Sequence, residues 1–267
     1  MIPQNIFLFW KGERTELVHI CLKRIREFHP HFNITVFDSS IEEIDGYDSL
    51  IVQHQSDWVR LCAIEKYGGV WLDSTCFLLK PVDEWVDMSS MQVQGFSAPW
   101  CDETLENWAF AAPRNDRLIS AWKKYFKMAV ENGLENFKED AKYLLKGRKV
   151  LDHIPYLTMH ACYILAVEET NMKARLEKSC AGPFKYLCVT NFDPYQAVEY
   201  LVNEKNNDIP FIKFCNHQQN VLKEKNNKKF VRFVSVFAAG DHSNLRVFIF
   251  ILVLLVVLYP YINVKKK

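Results

Sequence analysis

The sequence predicts an α/β fold followed by a C-terminal hydrophobic helix, on three observations. Short apolar runs at residues 6–10, 33–37 and 70–72 are separated by helix-period segments, and the first two enclose a strand, helix and strand within about forty residues, as a parallel unit requires. These runs close on Trp10, Asp38 and Asp73, which would gather at the carboxyl edge of one sheet, where open α/β sheets bind ligands. Residues 247–262 form a single apolar stretch.

The elements follow in order. Residues 6–10 read as a buried strand closed by a Lys11-Gly12 turn. The next segment places Leu17, Cys21, Ile25 and Phe28 on one helical face, and His29-Pro30 stops it. Ser56 is placed to cap a further helix with Trp58, Leu61 and Cys62 on its apolar face, so that Asp57 and Arg60, at i and i+3, project side by side from the first turn. Gly68 or Gly69 supplies the left-handed residue that ends this helix, and residues 70–72 then form a short buried strand delivering Asp73. Pro81 and Asp83 mark the exit from this half. Residues 93–98 and 106–112 read as strands, and Asn115 or Asp116 caps a helix carrying Leu118, Ile119, Trp122 and Phe126. Residues 157–167 form another strongly apolar helix. Turn-rich pieces with Gly182-Pro183 and Asp193-Pro194 precede a strand at 211–214 that delivers Asn216-His217.

A chain of 267 residues suits one α/β domain, here residues 1–222, with a basic Asn/Lys-rich linker at 223–245 and a membrane anchor at 246–264. As a helix, the apolar stretch spans roughly 24 Å against a hydrocarbon core of ~30 Å, a gap that Arg246 and Lys265 can close by snorkelling. Lysines and arginines number 33 against 32 acidic residues, which gives no field for a nucleic acid partner. The eight cysteines lack Cys-x-x-Cys spacing and read as reduced, mostly buried thiols. The N-terminus has no basic region or long apolar run, so the domain is expected in the cytosol. Dinucleotide, NTPase, zinc-protease and serine-hydrolase motifs are all missing.

The segment from Ser56 to Asp73 carries the chemistry. Taken singly, Asp57 and Arg60 read as a surface pair worth under ~1 kcal/mol and Asp73 as the start of a turn. Taken together, they bring three polar groups to one crevice, and the hydroxyls of Ser74 and Thr75 sit beside the carboxylate. Trp108 serves equally as a core ring or a sugar platform. Nothing selects a catalytic base among Asp102, Asp152, His153 and His160.

Ile2-Pro3-x-x-Ile6 running into Trp10-x-Gly12, Ser56-Asp57-x-x-Arg60 and Gly68-Gly69-Val70-Trp71-Leu72-Asp73 resemble the capsular polysaccharide synthesis family, with Phe211-Ile-Lys-Phe-Cys-Asn-His217 similar to its closing strand. Its wider relatives are DXD-containing, Och1-like and clostridial-toxin-like glycosyltransferases. The resemblance implies a GT-A type, Rossmann-like mixed sheet flanked by helices. It implies transfer of a hexosyl or pentosyl group from a UDP- or GDP-sugar to a glycan acceptor, assisted by Mn²⁺ or Mg²⁺. Carried over, Asp73, Asp57 and Arg60 are the catalytic residues. The donor would meet Trp10, Asp57, Arg60, Ser74, Asn107, Lys213 and His217, and the metal would meet Asp73 and His217. The family's Asp-x-Asp is here Asp73-Ser74-Thr75, which weakens a metal site or leaves Arg60 and Lys213 to carry the phosphate charge. For the same reason the sequence also admits a catalytically silent nucleotide- or sugar-binding subunit of a membrane glycan-assembly complex.

Overall fold

A computed structural model describes residues 1–98, 101, 103–203, 208–215 and 218–219. The expected linker at 223–245, the anchor at 246–264, Asp102 and His217 lie outside the described residues. The chain runs β1 (Asn5–Phe9), α1 (Glu16–Phe28), β2 (Asn33–Phe37), α2 (Val52–Tyr67), β3 (Gly69–Leu72) and β4 (Cys76–Leu78). It continues through β5 (Gln94–Ala98), β6 (Thr104–Ala112), α3 (Arg117–Asn132), α4 (Leu134–Leu144), α5 (Thr158–Thr170) and β7 (Arg175–Lys178). The last elements are α6 (Lys185–Cys188), α7 (Pro194–Asn203) and β8 (Phe211–Lys213). One compact unit, Met1–Val189 with Asn207–Cys215, contains every strand among the described residues, and a second includes Thr190–Asn206 with α7. Among the described residues no helix is long and apolar enough to cross a membrane.

The main sheet has six strands in the order β2-β1-β3-β6-β5-β7. β1 pairs in parallel with β2, Phe9 opposite Phe37, and with β3, Phe7 opposite Trp71. The expected common edge is therefore present, with Trp10, Asp38 and Asp73 following the three strand ends. Beyond it the sheet turns mixed: β6 runs antiparallel to β3 and to β5, and β7 parallel to β5. A separate antiparallel pair, β4 with β8, sets Lys213 opposite Cys76.

Helices α2, α3 and α5 share one apolar core with the sheet. The Trp122 indole donates to Met159 O at 2.7 Å, and its ring meets Phe110 and Tyr163 at 5.4 and 5.1 Å. Asp116, one of the two expected caps, accepts from the amides of Leu118 and Ile119 at 2.9 and 3.2 Å. Trp108 belongs to the core: it stacks on Phe96 at 5.5 Å and lies 4.9 Å from Phe184 and 5.8 Å from Phe211.

Three expectations need correction. The helix carrying Asp57 begins at Val52, not after Ser56, and Ile51 at its cap makes no side-chain bond. Its start is held instead by tertiary contacts, among them Gln55 Nε2 donating to Tyr47 O at 3.2 Å. Second, α2 is not one-faced, because every residue from His54 to Ile64 except Ser56 is buried. Third, Cys180 and Cys188 are joined in a disulfide, while Cys21, Cys62, Cys76, Cys101 and Cys162 are buried free thiols as expected.

The turn that aims β3 depends on two glycines. Gly68 has φ +64° and Gly69 φ +126°, and a Cβ on Gly69 would stand 2.6 Å from Asn5 O on β1. Gly69→Ala is therefore expected to cost about 3 kcal/mol, strain and overlap together. Urea denaturation checks this, and an unchanged midpoint would show that β1 can move aside.

Candidate functional site

Asp73 follows the last residue of β3, and its amide donates to Trp108 O at 2.8 Å across the sheet. β6 is irregular just there: Gly95 faces Phe110 but Ser97 faces Leu105, so two steps along β5 correspond to five along β6. The surplus is a bulge, and bulges re-aim side chains. Glu106, Asn107 and Trp108 lie in it, beside the end of β3.

Arg60 is the hub. Its Nη1 donates to Asn107 O at 2.7 Å and lies 3.1 Å from Asp57 Oδ1. Its Nη2 donates to Ser56 Oγ at 3.0 Å and to Asp73 Oδ1 at 3.3 Å. The guanidinium also sits 5.1 Å above the Trp71 ring, a cation–π contact. Asp57 and Arg60 are each 4% exposed, so the reading as a solvated surface pair is excluded. Asp57 completes its shell with the Asn107 amide at 2.9 Å and His54 Nδ1 at 3.0 Å. Because a carboxylate only accepts, the hydrogen at the latter contact belongs to the imidazole. Asp57 thus orients Arg60 and Asn107 and presents no free oxygen.

Lys213 reaches the Asp73 carboxylate from the small sheet. Its Nζ lies 2.9 Å from Asp73 Oδ2 and donates to Thr75 Oγ1 at 2.9 Å. The strand carrying it is fixed from below by the Tyr186 hydroxyl, which donates to Lys213 O at 2.6 Å. Burial alone would lift the Asp73 carboxyl, but Lys213 and Arg60, with hydrogen bonds from Lys213 and Trp71, outweigh it and hold the group below its ordinary 3.8. Burial would likewise lower the Lys213 ammonium, and Asp73 reverses this, holding it above 10.5. The Asp73 side chain keeps 25% exposure and is the open face of the cluster.

The other expected residues divide. Trp10 stands at the shared edge, partly exposed, with its indole donating to Glu13 O at 3.0 Å. Asn107 joins the cluster through both its amide and its carbonyl. Ser74 turns inward instead: it is buried and donates to Phe9 O at 2.8 Å, tying β3 to β1. His217 lies outside the described residues. Sequence reasoning missed His54, which carries no signal beyond its i, i+3 spacing to Asp57.

Of the two residues expected to meet a divalent cation, Asp73 is described and His217 is not. Among the described residues no group of three or more Asp, Glu, His or Cys side chains could hold one. Both Asp73 oxygens already face cations, and the Thr75 hydroxyl, standing where a second carboxylate would be, accepts from Lys213 and donates to Phe214 O at 3.0 Å.

Residues 1–133, which include β1 to β3, Asp57, Arg60, Asp73 and Asn107, match the family of capsular polysaccharide synthesis proteins. The resemblance read from the sequence motifs is confirmed over that half. Among solved structures, the chain is similar to the PaToxG glycosyltransferase at 11% identity, covering 89% of this chain and 86% of that one with a TM-score of 0.43. It is similar also to a glycosyltransferase involved in glycosylation of the major capsid of PBCV-1, at 15% identity, covering 84% of this chain and all of that one, 100%, with a TM-score of 0.45. No curated protein matches the chain.

Proposed function

We propose that the protein is a GT-A type glycosyltransferase that moves a hexosyl or pentosyl group from a UDP- or GDP-sugar to a hydroxyl of a growing glycan. One observation carries this reading: a carboxylate at the carboxyl edge of the sheet, partly open, is held between a buried arginine and a buried lysine, and the carboxylate and the arginine lie in the segment that matches a capsular polysaccharide synthesis family, with the lysine outside it. Transfer needs the leaving diphosphate neutralised and the anomeric carbon held near an acceptor oxygen, so positioning and fixed charge supply most of the rate. Trp10 offers a ring to the nucleobase. Lys213, whose Nζ is shared between Asp73 and Thr75, is the cation nearest the open face and supplies charge to the diphosphate. Arg60, fixed by four oxygens, holds Asp73 in place from behind.

Mn²⁺ or Mg²⁺ belongs to the resemblance, and the described donors do not fit it while Asp73 is paired with Lys213. No step is assigned to it. The apolar stretch suits attachment to a membrane through residues 246–264, while basic residues on both sides of it leave the orientation open.

A second reading has its own observation. Two carboxylates and two cations cancel within the cluster, and Thr75 replaces a carboxylate, which suits a sugar- or nucleotide-binding subunit without turnover. A thermal-shift screen of UDP- and GDP-sugars with and without Mn²⁺, followed by product analysis, separates the two. A transferase gives a donor-specific shift and a glycosylated or hydrolysed product; the silent subunit gives the shift alone, with turnover appearing in Thr75→Asp plus Mn²⁺. No shift with any donor would remove both.

A further inference from the structure

Glu106 and His160 are a buried polar pair to which the reaction outlined above gives no work. They are 3% and 5% exposed. His160 Nε2 and Glu106 Oε2 are 3.7 Å apart, beyond hydrogen-bond reach, and Glu106 Oε1 and His160 Nδ1 have no partner among the described residues. A buried carboxylate or imidazole left unbonded is destabilising, and folded proteins rarely carry two such groups face to face without a third to join them.

Their placement says where that third group would come from. Each is adjacent in sequence to a residue in the Arg60 cluster: Asn107 donates to Asp57, and Met159 has its sulfur 3.5 Å from Asn107 Nδ2 and 4.0 Å from Arg60 Nη1. The β6 bulge presents Glu106 at the edge where Asp73 emerges. Cys215 reports the same neighbourhood: burial lifts its thiol, Lys213 pulls it down, and the charges of Glu106 and Asp73 push it up. Glu106 therefore lies within electrostatic reach of the residues around Asp73, on the side where β8 ends.

The chemistry narrows the ligand. A carboxylate only accepts hydrogen bonds, and a neutral imidazole donates through one nitrogen. An oxygen seated in the gap can accept from the imidazole N–H while giving its own hydrogen to the carboxylate, and a hydroxyl is the carbohydrate group able to do both. A phosphate oxygen would be repelled by Glu106. A divalent cation would find two ligands where none of the described clusters offers three.

We propose that Glu106 and His160 form a subsite for one sugar hydroxyl, which deepens the glycosyltransferase reading and rests on it for the neighbouring ligand. Both are positioning residues that select for an oriented hydroxyl, and a deoxy sugar is rejected because it would leave them unpaired. The hydroxyl belongs either to the donor sugar or to the acceptor glycan, and binding measurements distinguish the two.

The test compares wild type with Glu106→Gln and His160→Asn. Melting temperature is recorded with the binding of UDP and GDP, of their sugar conjugates, and of methyl glycosides by ligand-observed NMR. Glu106→Gln is expected to fold with an equal or higher melting temperature, because an unbonded buried charge is removed, and to bind the bare diphosphate as wild type does. If the hydroxyl is the donor's, the extra affinity contributed by the sugar falls roughly tenfold; if it is the acceptor's, glycoside binding falls by a similar factor. Unchanged sugar binding in both variants overturns the subsite, as does wild type that binds no sugar in either form. A Glu106→Gln protein that loses stability yet keeps sugar binding also overturns it, since that marks a structural pair. Should Glu106→Gln not fold, His160→Asn carries the same comparison. Glycosides that bind through Glu106 while every nucleotide conjugate fails would sink the donor reading and leave the subsite standing; turnover indifferent to both variants would do the reverse.

Discussion

Arg60→Leu is expected to destabilise the protein by about 3–5 kcal/mol, a drop of roughly 10 °C in melting temperature, and to remove activity even where the chain still folds. The size follows from what the side chain leaves behind. Asp57 is 4% exposed and would lose the guanidinium, retaining His54 and the Asn107 amide, while Asn107 O and Ser56 Oγ lose the donors that Arg60 supplies. Asp73 would keep Lys213 but be free to swing from the position that Arg60 enforces. Arg60→Lys tests the geometry apart from the charge. One ammonium cannot reach Ser56, Asn107, Asp57 and Asp73 together, so most of the loss should persist despite the conserved charge. Thermal and urea unfolding of the two variants measure this. A leucine variant within 1 kcal/mol of wild type would show that the cluster tolerates opening, and the account of Arg60 as its hub would fail.

What the sequence disclosed and what it hid divide along locality. The three strands and their shared carboxyl edge were legible because each is a short, largely apolar run stopped by a recognisable breaker; their order and register were not, since these depend on pairing between distant segments. Asp57 and Arg60 were legible as a pair because i, i+3 spacing brings side chains together on any helix. Their burial was not, because it depends on α3, α5 and β6 closing over α2 from elsewhere in the chain. The same cause explains Ser56: its sequence context reads as a cap, yet tertiary contacts of His54 with Phe126 and of Gln55 with Tyr47 carry the helix a turn further back, and the hydroxyl becomes a partner for Arg60. Lys213 was placed against the donor only through the resemblance at the closing strand. Its actual contact joins residues 138 positions apart through the β4–β8 pair. β7, Arg-Leu-Glu-Lys, has almost no apolar content, and it exists as a strand only because β5 offers it an edge. Glu106 and His160 meet across a bulge that no periodicity announces.

Asp73→Asn is expected to lower turnover by about 10³-fold and, more tellingly, to add a rise of stability with pH below 10.5 that the wild type lacks. In the wild type, Asp73 holds the Lys213 ammonium above its ordinary 10.5. A raised folded value means that the contribution of Lys213 is fully present below 10.5 and is lost as pH rises through the higher folded value, since the native state then holds the extra proton. Asp73 works from the other end. Its depressed value contributes stability that is present above 3.8 and is lost as pH falls through the lower folded value. Between those limits the wild-type pair contributes a constant amount. Asparagine keeps the shape of the side chain but removes the charge, and burial, which lowers the ammonium, then acts on Lys213 without its principal opponent. With a folded value below 10.5, the unfolded chain binds more protons over the interval between the two, so the variant should gain stability as pH climbs toward 10.5 where the wild type does not. Urea midpoints of both proteins at pH 7, 9 and 10, taken as differences so that shared tyrosines and cysteines cancel, make the comparison. Parallel curves would mean that Lys213 draws its charge balance from somewhere other than Asp73, and the ion pair at the centre of the proposed site would lose its standing.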